Sequence, residues 1–134
     1  MEKDCVFCKI VKKEIESFIV AEDELTISFL DVNPVSPGHT LVIPKKHYES
    51  IQDIPENVLE RIITISKKLS KQYKEKLGAT GINILHASGK DAQQSRPHFH
   101  IHLVPRYPKD GLDLWFHGKN KGENLEKVFQ KIKS

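Results

Sequence analysis

The stretch of sequence that decides the fold runs from Pro97 to Arg106 and reads Pro-His-Phe-His-Ile-His-Leu-Val-Pro-Arg. An apolar residue separates each histidine from the next, and the histidines are His98, His100 and His102. Because successive side chains of a β-strand point to opposite faces of a sheet, this alternation predicts a strand that buries its apolar side and presents three imidazoles on the other. A strand face without a function would carry mixed polar residues, so the repeat indicates a chemical site.

Four other segments are typical of β-strands. They are rich in β-branched and aromatic residues and are bounded by polar or turn-forming residues, and the first two suggest a hairpin. With the histidine strand, the predicted strands cover residues 18–21, 25–30, 39–43, 82–85 and 97–104.

Helical patterns fall between and after these strands. Asp53 and Glu56 resemble a capping box at the start of a long amphipathic helix, which ends at Gly78. We expect a helical turn over residues 10–14 and a C-terminal helix from Glu123 onward, which has an apolar stripe. The prediction is an α+β domain: an antiparallel sheet of about five strands with helices on one side.

Composition restricts the class of protein. A chain of 134 residues fits one domain, 1–134, and its 29% charged and 38% apolar residues exclude a disordered chain or a membrane protein. The N-terminus has no apolar leader segment, so we expect a cytoplasmic protein. The net charge of +3 comes largely from C-terminal lysines such as Lys119 and Lys121, which alternate with acidic residues, so neither a nucleic acid nor a membrane is an expected partner.

Cys5 and Cys8 form a C-x-x-C pair and are the only cysteines in the chain. Such a pair binds a metal, acts as a redox dithiol, or is simply buried. A redox pair is expected within a βαβ unit, which this sequence lacks, so zinc is favoured. A structural zinc needs two further ligands, and histidine is the available kind. From the residues alone the candidates are His39, His47, His86, His98, His100, His102 and His117.

The segment 98–104 matches the pattern His-φ-His-φ-His-φ-φ, where φ is apolar, and so resembles the histidine triad superfamily. Residues 29–34 and 37–48, together with Gln94 and Ser95, resemble its purine-nucleotide-binding Hint branch. The similarity runs from 5 to 106 and leaves 107–134 as an extension. It implies a homodimer whose half-sheets join into one continuous sheet, with a nucleoside monophosphate bound at each histidine strand.

The resemblance also implies roles for individual residues. Zinc-bearing members would hold a structural zinc with the residues that match Cys5, Cys8, His47 and His98. His100 would be the nucleophile that attacks the α-phosphorus of a purine nucleotide derivative, with His102 near the phosphate or the leaving group.

The same resemblance implies that His39 orients the triad and that Asp31 accepts hydrogen bonds from the ribose. The implied substrate-binding residues are Phe7, Ile10, Phe29, Leu30, Asp31, Val32, Gln93, Gln94, Ser95, His100 and His102. Two loop positions differ from the common pattern, because Ala87 and Gln93 stand where many members have Asn and Gly.

The function that this resemblance implies is hydrolysis of purine nucleoside phosphoramidates through a covalent nucleotidyl-histidine at His100. The alternatives are a non-catalytic purine nucleotide sensor and a dinucleoside polyphosphate hydrolase. In a further alternative, the three histidines of the repeat hold a catalytic zinc ion.

Overall fold

The computed structural model describes residues 3–118, 122 and 124–134. Five antiparallel strands form one sheet in the order β1-β2-β3-β5-β4. The strands are β1 Ile19–Glu22, β2 Thr26–Leu30, β3 Thr40–Pro44, β4 Gly81–His86 and β5 Ile101–Arg106. The predicted five-stranded α+β domain is confirmed. The joining of two sheets in a dimer remains a prediction.

Different helices cover the two faces of the sheet. The helices are α1 Val6–Val11, α2 Glu56–Leu77 and α3 Leu125–Lys133. Val42 of β3 packs in the core under α2, whereas its neighbours Leu41 and Ile43 pack in a second cluster with Phe7 and Ile10 of α1. Because adjacent strand residues point to opposite faces, α1 and α2 lie on opposite sides of the sheet. The prediction that the helices share one side is therefore wrong.

The first helix begins earlier than the sequence indicated. The predicted turn over residues 10–14 is replaced by α1, which contains Cys8 and ends at Val11. The side chain of Cys5 caps this helix, since its sulfur accepts from the backbone N–H of Cys8 at 3.4 Å. Cysteine is not among the common capping residues, so the start of this helix has only a weak sequence signal.

The long helix α2 also begins differently. Its N-terminal cap is Pro55, which makes no side-chain capping bond, so the predicted capping box is wrong. The Asp53 carboxylate instead accepts from the backbone N–H groups of Glu49 and Ser50, at 3.1 and 2.8 Å, and closes the preceding turn. The predicted end is confirmed, because Gly78 adopts the left-handed conformation, with φ of 74°.

Regular pairing of the histidine strand begins at Ile101, four residues later than predicted. Ahead of it the chain is held by other bonds, such as the Phe99 N–H donating to the Tyr48 carbonyl at 2.6 Å. The alternation nevertheless persists through this irregular segment: Phe99, Ile101 and Leu103 are buried in the core under α2, and the histidines lie on the side of α1. Side-chain direction thus follows the sequence pattern even where the strand pairing does not.

The C-terminal helix α3 buries none of its residues against the described part of the chain. The predicted start of this helix at Glu123 and the lysines Lys119 and Lys121 lie outside the described residues. Across residues 3–118, 122 and 124–134, no helix has both the length and the apolar character needed to cross a membrane.

Candidate functional site

A cleft of about 350 Å³ opens between α1, the segment that follows β2, and the segment that precedes β5. One part of its wall is apolar, and the other carries polar and basic side chains. Its lining includes nine of the residues predicted to bind substrate: Phe7, Ile10, Phe29, Leu30, Asp31, Val32, Ser95, His100 and His102. The cleft therefore combines walls suited to an apolar base with groups suited to an anion.

Two predicted substrate-binding residues, Gln93 and Gln94, do not line this cleft. The side-chain amide of Gln94 donates to the carbonyls of Glu49 and Arg96, at 2.6 and 2.9 Å, and its oxygen accepts from the Gly89 N–H at 2.8 Å. Both of its hydrogens are thus engaged with backbone groups of the loop. This arrangement leaves no donor for a phosphate, so we assign Gln94 to holding the loop.

His100 is only 4% exposed, yet its ring lines the cleft. Its Nδ1 lies 2.8 Å from the His98 carbonyl oxygen, which only accepts hydrogen bonds, so Nδ1 carries the hydrogen. In a neutral imidazole the lone pair then lies on Nε2, for which the described residues provide no hydrogen-bond partner. The Phe7 ring packs edge-on against the imidazole, with the ring centroids 5.2 Å apart.

A second hydrogen-bonded chain determines the tautomer of His102. The Val35 N–H donates to Nδ1 of His39 at 3.2 Å, so Nε2 of a neutral His39 carries the hydrogen. That Nε2 lies 3.0 Å from Nδ1 of His102 and donates to it. His102 must then carry its own hydrogen on Nε2. The nucleophile candidate and its neighbour thus present opposite groups, a lone pair on His100 and an N–H on His102.

Burial lowers the pKa of these rings and so favours their neutral form. Removal from solvent, together with the neighbouring histidines, lowers the pKa of His102 to about 4. Burial also lowers the pKa of His100, against the opposing effect of its bond to the His98 carbonyl. The pKa of His39 is likewise lowered by burial, although the Asp31 carboxylate, 3.6 Å away, acts in the opposite direction. A neutral His100 is the form that can attack an electrophile.

At the start of the histidine segment, the ligand atoms of Cys5, Cys8, His47 and His98 all lie within 4.8 Å of one another. The sulfur-to-nitrogen distances are 3.4 Å for Cys5–His98, 3.5 Å for Cys8–His98 and 3.3 Å for Cys8–His47. Tetrahedral zinc, with Zn–S near 2.3 Å and Zn–N near 2.05 Å, requires about 3.6 Å between such atoms. The cluster therefore has dimensions close to those of a zinc site.

The tautomer of His98 also fits a metal. Its Nε2 donates to the Pro44 carbonyl at 2.9 Å, which leaves the lone pair on Nδ1, the atom that faces both sulfurs. Neither His100 nor His102 belongs to this cluster. The alternative in which the three histidines of the repeat share one metal does not fit, because His98 points to the cysteines and His100 lines the cleft.

Asp31, His39 and His102 form another group with ligand atoms within 4.8 Å of each other. A metal there would need the lone pair of His39 on Nε2. Because Nδ1 of His39 accepts from the Val35 N–H, the hydrogen of the neutral ring is on Nε2 instead. We therefore interpret this group as a hydrogen-bonded relay and not as a second metal site.

The structure brings two residues to the site that the sequence analysis did not assign. Arg96 lines the polar part of the cleft beside Ser95. Its only sequence signal is a cation two residues before the histidine repeat. His86, a histidine outside the two-residue repeat, contacts the backbone of His100. Sequence spacing carries no signal for that long-range contact.

The chain is similar to known proteins in both sequence and fold. The chain is 38% identical over 135 residues to adenosine 5'-monophosphoramidase HNT1 of Candida albicans, an alignment that covers 96% of this chain and 89% of that protein. The crystal structure of a HIT family protein from Bacillus anthracis superposes with a TM-score of 0.87 at 32% identity and covers 99% of this chain and 95% of that one.

A zinc-bound histidine triad family protein from Mycobacterium smegmatis has a TM-score of 0.80 and 37% identity, over 83% of this chain and 81% of its own. The model of the HIT domain matches residues 12–109, a range that contains the triad and the whole sheet but not the two cysteines. This chain belongs to the HIT domain family.

Proposed function

We propose that this protein hydrolyses purine nucleoside 5'-phosphoramidates, with His100 as the nucleophile. The observation that carries the proposal is the fixed tautomer of His100, whose Nδ1–H donates to the His98 carbonyl, which leaves the lone pair on Nε2 of a residue that lines the cleft. An Nε2 lone pair at a site lined with Ser95 and Arg96 suits attack on a phosphorus centre. The similarity to adenosine 5'-monophosphoramidase HNT1 of Candida albicans supports the choice of substrate.

In the first step, Nε2 of His100 forms a bond to the α-phosphorus while the bond from phosphorus to the amine nitrogen breaks. The amine departs with a proton from water, since a His102 with a pKa near 4 is neutral and donates a hydrogen bond without giving up its proton. The substituted imidazole is cationic, and its Nδ1–H bond to the His98 carbonyl stabilises that charge.

In the second step, water attacks phosphorus, the bond to Nε2 breaks, and the proton of the water passes to solvent. Nε2 regains its lone pair and the nucleoside monophosphate is released. The Nε2–H of His102, held in that tautomer by His39, donates to the charge on phosphate or on the departing group. Apolar side chains such as Phe29 and Ile10 would pack against the base, and the Asp31 carboxylate would accept from the ribose.

The Cys5, Cys8, His47 and His98 cluster would hold a structural zinc ion, as its distances and donor set indicate. The zinc would cross-link α1 to the sheet and take no part in the reaction. The zinc-bound relative from Mycobacterium smegmatis supports this choice of metal.

A second copy of the chain would pair along β4. The two edge strands of the sheet are β1 and β4. β1 has an irregular register between Ile19 and Ala21, and such an irregularity hinders edge pairing. β4 pairs with β5 over six residues without such an irregularity and leaves Ile84 49% exposed. A homodimer with a continuous sheet would cover this edge.

The test compares the wild type with His100→Gly on adenosine 5'-phosphoramidate, with His117→Gly as the control. His117 is an exposed histidine paired with Asp113 outside the cleft. We expect His100→Gly to lose turnover by several orders of magnitude while it still binds AMP, and acid quench of the wild type to trap nucleotidylated protein. Turnover by His100→Gly at the wild-type rate would refute His100 as the nucleophile. If the wild-type protein binds AMP but does not turn over the substrate, the result would favour a nucleotide sensor.

A further inference from the structure

We infer that His86 is a positioning residue for His100, an inference that rests on the proposed function. His86 is the last residue of β4 and pairs with Ile101, the first residue of β5. The ladder between these strands therefore ends one residue short of His100. At that point Nδ1 of His86 donates to the His100 carbonyl at 2.9 Å, so a side chain continues the bonding where strand pairing stops.

The His86 ring is fixed at both nitrogens. A carbonyl only accepts hydrogen bonds, so Nδ1 carries the hydrogen and Nε2 accepts from the Ser88 hydroxyl that lies against it. The Ser88 oxygen in turn accepts from the Ile51 N–H at 2.9 Å. These hydrogen bonds form a continuous series from the Ile51 N–H through Ser88 and His86 to the carbonyl of His100, and each donor in the series has one acceptor.

The ring is also held on its face. The His86 and Phe99 rings lie 4.4 Å apart at an interplanar angle of 30°, and Phe99 is fully buried. His86 therefore connects a rigid part of the core to the peptide unit that follows the nucleophile. The ring position is defined by packing as well as by hydrogen bonds, as a positioning role requires.

The His100 ring depends on that peptide unit for its aim. Its Nδ1 bonds to the His98 carbonyl, and this bond keeps its geometry only if the backbone from residue 98 to 100 stays in place. Regular strand pairing fixes the chain from Ile101 onward but not before it. His86 supplies the missing constraint on the His100 carbonyl. A misplacement of the nucleophile by about 1 Å costs about 100-fold in rate.

Two substitutions separate the hydrogen bond from the packing. His86→Phe keeps a ring against Phe99 but removes the donor, whereas His86→Asn keeps an N–H near the position of Nδ1 but removes the ring. We expect His86→Phe to lower kcat for adenosine 5'-phosphoramidate by about 10- to 100-fold with KM unchanged, and His86→Asn to recover most of that loss. His117→Phe, an exposed histidine outside the cleft, is the control and keeps wild-type kinetics.

A His86→Phe variant with wild-type kcat would overturn the inference, and so would a His86→Asn variant as slow as His86→Phe. If His86→Phe does not fold, His86→Gln replaces it, because its longer side chain moves the amide away from the position of Nδ1. Equal kcat values for the Asn and Gln variants would then refute the positioning role.

A measurement without substrate keeps this inference separate from the proposed function. Long-range ¹H–¹⁵N spectra of the His100 imidazole report which ring nitrogen carries the hydrogen. We expect the Nδ1–H form alone in the wild type and a mixture of forms in His86→Phe. If the wild type does not hydrolyse phosphoramidates, the proposed function fails and these spectra alone decide the role of His86, with a single form in both proteins refuting it.

Discussion

Removal of the proposed zinc should detach α1 while the rest of the domain stays folded. Helix α1 has only six residues, and helices of that length are not stable alone. Its main apolar contacts come from Phe7 and Ile10, each 6% exposed, whose burial contributes about 5 kcal/mol together. Ordering six residues costs about 6–12 kcal/mol of conformational free energy. Apolar burial alone therefore falls short by about 1–7 kcal/mol, and the proposed zinc would offset the difference.

The assay is amide hydrogen exchange on zinc-loaded and zinc-stripped protein, and on Cys8→Ser. The N–H groups of Lys9 and Lys12, which bond to the carbonyls of Cys5 and Cys8 at 3.1 Å, report on α1. Structural zinc contributes about 10–16 kcal/mol, which exceeds a deficit of about 1–7 kcal/mol by at least about 3 kcal/mol, so its removal predicts at least about 100-fold faster exchange at these amides in both metal-free forms.

The internal control is α2, whose buried residues belong to the core on the other face of the sheet. Its amides should exchange at the same rate with and without metal. Equal exchange at Lys9 and Lys12 in loaded and stripped protein would refute the conclusion that the metal holds α1. Equal acceleration in α1 and α2 would refute the separation of the two cores.

Three further predictions concern the relay, its titration and the sheet edge. Replacing His39 by Leu removes the donor to His102 and should lower kcat about 100-fold, whereas His39→Gln, whose amide reaches the position of Nε2, should retain most of the activity; equal kinetics of the two variants would refute the relay. The pKa of His102 is 6.5 in the unfolded state and about 4 in the folded state, so the unfolded state binds the proton first and the free energy of unfolding should fall as the pH drops from 6.5 towards 4. Denaturant unfolding at several pH values in this range should show a weaker dependence of that free energy on pH for His102→Gln than for the wild type. An unchanged pH dependence would contradict the assignment. Ile84→Asp should convert a dimer to a monomer in light scattering while Val20→Asp on the opposite edge should not, and a dimeric Ile84→Asp protein would exclude β4 as the interface.

The outline of the fold was predictable because it depends on apolar patterning. The two-residue period around Phe99 and the helical spacing up to Gly78 each specify which side chains must be buried, and both were confirmed. The cleft residues followed from the resemblance to the family, since patterning alone could not separate a base-binding Phe29 from an ordinary core residue.

The parts that could not be predicted depend on polar side chains with more than one available partner. Asp53 lies within reach of two sets of backbone N–H groups, and the structure uses the turn before α2 and not the helix itself. Gln94 was expected to bind substrate but bonds to Glu49, 45 positions away. Such choices depend on tertiary contacts, which a local sequence pattern does not contain.

His98 belongs to two networks at once, through its ring to the thiols and through its carbonyl to Nδ1 of His100. A chelator that distorts this residue would therefore slow the proposed turnover even if no ion touches the substrate. Inhibition by chelation, the usual sign of a metalloenzyme, would here report on the alignment of a metal-independent catalyst.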